Sequence, residues 1–250
     1  MLAALKKVYQ ESRKKEDIAW NTYVARPQAA ILVYILARTP LTPNQVSFLG
    51  GALFIAAAFV LAIFQGPWGF LAAALLIHVS YLFDCADGQL ARLKAMTSEV
   101  GAYLDFFIDE IKALLLVGAA GLRLYLLDGE VYWLFLTIGA VFVVSTATSL
   151  TNFIRRPEYA GRVIGPGESA KKREMPGTFL GKVIWLVEGV ARYFIHYPSW
   201  ILWVALLAIL VPLDGALIFL VPFLGVYLLY FLRTGSQVLF KLGAPGFYRQ

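Results

Sequence analysis

The sequence predicts an all-α integral membrane protein, a bundle of six transmembrane helices preceded by an interfacial amphipathic helix on the cytoplasmic side. Three observations lead there. Of 250 residues, 60% are hydrophobic and 15% charged, with a mean hydropathy of +0.69. Soluble domains run to about 45–50% apolar and about 25% charged, so a soluble globule is excluded. Four runs, Thr39 to Phe83, Val131 to Ile154, Tyr193 to Leu213 and Gly215 to Leu232, contain no Asp, Glu, Lys or Arg, and about 20 such residues cross a bilayer core. The basic residues, finally, all but two fall on one side of the spans these runs define.

The elements follow in order. Residues 5–25 read as one cationic helix whose Tyr9, Trp20 and Tyr23 interleave with the charges, the pattern of a helix lying on anionic lipid. Residues 28–37 are apolar but too short to cross. Residues 1–42 therefore form a juxtamembrane segment and 43–240 the transmembrane domain, with a tail over 241–250. Thr42 is placed to cap the first span, with Pro43 at its first helical position. The spans fall at about 43–65, 68–93, 100–127, 131–154, 197–213 and 215–232. Between the fourth and fifth lies a loop over 155–196, rich in Pro and Gly at first and then amphipathic from Leu180 to Phe194. The turns at Gln65-Gly66-Pro67, Asp128-Gly129-Glu130 and Asp214 carry no Lys or Arg. Of the 22 basic residues, only Lys112 and Arg123 fall outside the opposite side. The positive-inside rule then puts both termini and the long loop in the cytoplasm, with the protein in the cell or inner membrane. A single cysteine excludes an internal disulfide, and the basic N-terminus does not read as a secretory leader.

Asp84 and Asp87 lie at the end of the second span and Asp105 and Asp109 at the start of the third, where each carboxylate costs about 2.5–3.5 kcal/mol on insertion scales. Spacings of three and four put each pair on one helix face. A short turn around 95–98 folds the two helices antiparallel, which brings Asp84 level with Asp109 and Asp87 level with Asp105. The site then sits ~10 Å below the helix start, open to the cytoplasm. Four negative charges this close need compensating cations, and none of the chain's own is expected to serve. Carboxylate oxygens suit Mg²⁺ or Mn²⁺, and two such ions would balance the charge and clamp the oxygens of a phosphoryl displacement. Gly88 and Gly101 leave room beside the carboxylates, and Arg92 is a phosphate-binding candidate.

Asp84-Cys-Ala-Asp87-Gly88-Gln-Leu-Ala91-Arg92, then Gly101 after eight residues, Asp105 after three and Asp109 after three, resembles at every fixed position the signature D-x2-D-G-x2-A-R-x8-G-x3-D-x3-D of the CDP-alcohol phosphatidyltransferases. The Thr42-Pro43-Asn44-Gln45-Val46-Ser47 start of the first span is similar too. The resemblance implies a transferase that moves a phosphate-linked alcohol from a CDP-alcohol to an acceptor hydroxyl and releases CMP. It implies that Asp84, Asp87 and Asp105 hold divalent metals, with Asp109 completing the site and serving as base. Gly88, Ala91, Arg92 and Gly101 would contact the CDP part. From the residues alone, which Asp is the base stays open. Arg155, Arg156, Arg192 and Arg233 face the same side and suggest an acceptor pocket for a phosphorylated polyol, although positive-inside topology alone also accounts for them.

The expected partners are thus the CDP-alcohol donor, the hydroxyl acceptor and the bilayer, with no nucleic acid and a homodimer as an option. The rival reading is an ion- or proton-coupled transporter using the same carboxylates. Transporters place such groups at the midplane between repeated halves, and this sequence shows no repeat. Glu110, His78 and Cys85 read as packing residues, and His196 is open between packing and a role at the site. Gly50-Gly51-Ala52 suggests close helix contact, and Trp68, Trp133, Trp200 and Trp203 an interfacial belt.

Overall fold

The structure is a computed structural model that describes residues 2–12, 17–161, 175 and 177–244. It is helical, with no strand among the described residues. The N-terminal segment is not the single helix expected over 5–25. Helix α1 covers Leu2–Ser12, Asp17 and Ile18 are not helical, and helical structure resumes after them, with a π-helical turn at Asn21–Ala25 running into α2 (Arg26–Leu36). The restart is built on Asp17, whose carboxylate accepts from the Ile18 amide at 2.8 Å and from Asn21 Nδ2 at 3.0 Å and pairs with Arg26. Burial works against that carboxylate, but the Arg26 guanidinium and these hydrogen bonds outweigh it and hold Asp17 below the usual carboxylate range. Ala25, Ala29 and Val33 bury against Val46, Cys85, Ala86 and Leu90. Part of the juxtamembrane segment is therefore core.

Helix α3 (Pro43–Ile63) begins as expected. Thr42 Oγ1 accepts from the Gln45 amide at 3.4 Å and Gln45 Oε1 accepts from the Thr42 amide at 2.9 Å, a reciprocal capping box. Helix α4 (Gly66–Leu93) and helix α5 (Glu99–Asp128) form the hairpin that carries the motif. Between them Ala95 takes a positive φ of 53° and Ser98 caps α5 by accepting from the Gly101 amide at 3.0 Å. Helix α6 (Tyr132–Arg155) and a short α7 (Pro157–Ala160) follow. Helix α8 (Phe179–Ile195) coincides with the amphipathic part of the long loop, and α9 (Tyr197–Leu210) and α10 (Gly215–Gly243) complete the chain.

Helices α3, α4, α6 and α10 are long and apolar enough to cross a membrane. The other two expected spans differ. Helix α5 has 30 residues, but Asp105, Asp109, Glu110, Lys112 and Arg123 interrupt its apolar face. Helix α9, at 14 residues, rises only ~21 Å. Helix α10 runs past the expected end at 232, because apolar positions such as Val238 keep a buried face after the charge-free run stops.

Phe54, Phe70, Ile77, Leu116, Phe219 and Phe223 fill the main core between α3, α4, α5 and α10. The expected close contact at Gly50 is present. A Cβ there would lie 3.0 Å from Phe83 Cβ, and Ser80 Oγ donates to the Gly50 carbonyl at 2.7 Å. Gly121 does the same for α5 against α6, where a Cβ would fall 1.8 Å from Thr137 Oγ1. At the end of the bundle away from the motif, the fully buried Arg123 donates to Asp214, the N-cap residue of α10, and to the carbonyls of Leu61, Phe64 and Gly66.

Candidate active site

The α4–α5 hairpin brings Asp84, Asp105 and Asp109 together, with one carboxylate oxygen of each lying within 4.8 Å of the others. This is a set of hard oxygen donors at a spacing that one divalent cation can bridge. Asp87 is not part of this 4.8 Å group, although its carboxylate lies close enough to Asp84 and Asp105 to feel their charge. It is buried, and its carboxylate accepts from Ser47 Oγ on α3. Asp87 thereby ties α3 to the hairpin that carries the other carboxylates.

A cation of the chain does reach the carboxylates, which corrects the expectation that none would. Lys112, with only 2% of its side chain exposed, pairs directly with Asp84 and places its Nζ 3.5 Å from Asp109 Oδ1. Its ammonium stands where positive charge is needed, so the carboxylate set suits a cation. Of its two partners Asp109 is the more open, 48% of its side chain being exposed against 12% for Asp84. The signal for Lys112 was its place three residues after Asp109, on the same helix face.

Arg92 folds back over Gly88, its Nη1 within 3.6 Å of where a Cβ on Gly88 would lie. Its Nε donates to the Ser12 carbonyl of α1 at 2.5 Å, and its buried Nη2 has no hydrogen-bond partner among the described residues. Gly101 sits where a Cβ would come 3.1 Å from Ser98 Oγ and 3.5 Å from Asn44 Oδ1. Ala91, one turn after Asp87, is half-buried.

Beside the motif, a polar chain ties the N-terminal segment to α4 and α9. The Tyr81 hydroxyl donates to Asn21 Oδ1 at 2.7 Å and lies 3.1 Å from His196 Nε2, while His196 Nδ1 lies 2.9 Å from Ser199 Oγ. Gln89 Nε2 donates to the Arg26 carbonyl at 3.1 Å. The Ser47 contact and this chain are what sequence reasoning missed along with Lys112, since hydroxyl and amide partners on separate helices leave no local pattern. His196 thus belongs to the framework beside the carboxylates. Arg155 and Arg156 end α6, and Arg233 lies in α10, which packs on both α6 and α8. Arg192 is on α8, with its side chain outside the described residues.

No curated protein matches the chain. The sequence model of the family described as CDP-alcohol phosphatidyltransferase matches residues 40–211, from just before the α3 cap through α9. That stretch exceeds half of the chain and contains all four aspartates, and on it the chain belongs to the CDP-alcohol phosphatidyltransferase family.

Proposed function

We propose that the chain moves a phosphate-linked alcohol from a CDP-alcohol to an acceptor hydroxyl, releasing CMP, as a step in phospholipid or related synthesis. The observation that carries this reading is the convergence of Asp84, Asp105 and Asp109 within the matched family segment. Mg²⁺ or Mn²⁺, two ions on charge balance, would be held by Asp84, Asp87, Asp105 and Asp109 and would supply charge neutralisation at the donor pyrophosphate.

The chain's own groups divide the remaining work. Asp109, the more open partner of Lys112, takes the proton from the acceptor hydroxyl as that oxygen attacks the phosphorus bearing the alcohol. The bond from this phosphorus to the bridging oxygen breaks, and CMP leaves with the bond's electrons. Arg92 offers to a donor phosphate its buried Nη2, which has no partner among the described residues, beside the small residues Gly88, Ala91 and Gly101. Arg155, Arg156, Arg192 and Arg233 bind the phosphate of a polyol acceptor.

In this reading α5 and α9 are also spans, giving six, and both termini and the site face the cytoplasm, where CDP-alcohols are supplied. No observation favours the transporter. The test is CMP release by the detergent-purified protein from a panel of CDP-alcohols and acceptors with Mg²⁺ or Mn²⁺. Release that depends on both donor and acceptor is expected. Its absence across the panel rejects the reading.

A further inference from the structure

We infer that Lys112 is a built-in counter-cation that holds the carboxylates in place when no divalent ion is bound and competes with that ion for Asp84. The inference rests on the proposed function, in which these carboxylates are metal ligands.

The argument begins with burial. Lys112 is almost wholly enclosed in α5, and an enclosed ammonium is tolerated only with close anionic partners. Those partners are two of the three converging carboxylates, Asp84 in direct contact and Asp109 at 3.5 Å. Lys112 lies one turn further along α5 than Asp109, so it reaches the cluster from below, on the side away from the Ser98 end of the helix. A ligand arriving from that end does not have to pass it.

An ammonium has three donors and no lone pair. It can neutralise a carboxylate but cannot join a metal's coordination shell. A divalent ion held by Asp84 and Asp109 would therefore meet a positive charge already at the same oxygen, in a dry setting where like charges repel strongly. Lys112 must give up its contact with Asp84 as the ion enters. With Lys112 present, Asp84 and Asp109 stay fixed between turnovers, and the ion is bound less tightly than the carboxylates alone would bind it. Lys112 is thus a positioning residue whose removal strengthens metal binding, the opposite of what loss of a supporting hydrogen bond would do.

The experiment uses the full chain in detergent, with Lys112→Met and Lys112→Gln beside wild type. Mn²⁺ binding is titrated by electron paramagnetic resonance of the free ion, and melting is followed in EDTA and in saturating Mn²⁺. Both variants are expected to melt lower than wild type in EDTA and to gain more from Mn²⁺. Their Mn²⁺ dissociation constants should fall about tenfold or more, the scale on which groups next to metal ligands shift affinity. A variant that folds only with Mn²⁺ also supports the inference, because the ion then stands in for the ammonium. Unchanged or weaker Mn²⁺ binding in variants of a wild type that binds the ion overturns the inference alone, and so do variants that fail to fold even with Mn²⁺. No Mn²⁺ binding by wild type or variants overturns both this inference and the metal-dependent function.

Discussion

Arg123→Met tests the buried polar joint at the end of the bundle away from the motif. The guanidinium is fully enclosed, with Nε 2.9 and 3.0 Å from the two Asp214 oxygens, Nη1 3.2 Å from the Leu61 carbonyl and 2.5 Å from that of Phe64, and Nη2 2.8 Å from that of Gly66. Methionine keeps much of the volume and removes every donor. Taking one partner from a buried ion pair costs about 3–5 kcal/mol, because the other charge is left enclosed. The three carbonyls belong to the end of α3 and the start of α4, where water can replace part of what they lose, so we take about 4 kcal/mol as the net effect. At about 2–4 °C per kcal/mol for a chain of this size, melting should fall by roughly 8–16 °C. The assay is thermal unfolding in detergent read by a thiol-reactive dye, since Cys85 is the chain's one cysteine and is buried. Adding Asp214→Asn should recover part of the loss, as Asn removes the unpaired charge and still caps α10. Arg123 lies about 21 Å along α5 from Asp109, so CMP release well below the melting point should persist. A melting point within about 2 °C of wild type would refute the joint as described.

The other predictions concern the site and its surroundings. EDTA should abolish CMP release and Mg²⁺ or Mn²⁺ restore it; undiminished release in chelator removes the metal from the reaction. Asp109→Asn should lower turnover by on the order of 10²-fold or more with the melting point little changed, and near-normal turnover would overturn its role as base. Burial pushes the His196 imidazole from 6.5 down to about 4, so the folded chain keeps it neutral while the unfolded chain takes up a proton below pH 6.5. Its contribution is complete above that pH and is lost as pH falls toward 4. His196→Gln should therefore lose less melting temperature than wild type over that interval, and parallel curves would contradict the assignment. A labelling site at Gly129 should react only from outside the cell and one at Gly177 only from the cytoplasm; the reverse pattern would put the carboxylates on the wrong face.

Local rules made several elements legible. The Thr42 capping box, the break at 95–98, the end of α5 at Gly129 and the close approach at Gly50 each depend on a few neighbouring residues with a mechanical reason to be there. The hairpin was legible too, because a short turn between apolar helices leaves them only one way to pair. Direction around a helix was not. Asp87 turns to Ser47 and Arg92 turns to the Ser12 carbonyl, each choice set by a partner about 40 or 80 residues away. Lys112 was hidden for a different reason. A hydropathy reading treats a cation in a span as an interruption, whereas its position is fixed by a carboxylate on the neighbouring helix. The pairing of Arg123 with Asp214 has 91 residues between its members, and Asp17 breaks the N-terminal helix through contacts that composition does not reveal.

The carbonyl collar around Arg123 also bears on the order in which the chain can be assembled. In the six-span reading proposed above, α5 is synthesised long before Asp214, so its arginine would enter the bilayer while its counter-charge is still unmade. Insertion scales disfavour a bare arginine by up to about 2.5–3.5 kcal/mol, the value at a helix centre, and by less toward a helix end such as that of Arg123. Leu61, Phe64 and Gly66 already exist by then, and their carbonyls can receive the Nη1 and Nη2 donors. The α3–α4 turn thus acts as a berth that holds α5 in the growing bundle, and the arrival of α10 supplies the missing negative charge and locks the four helix ends at one point.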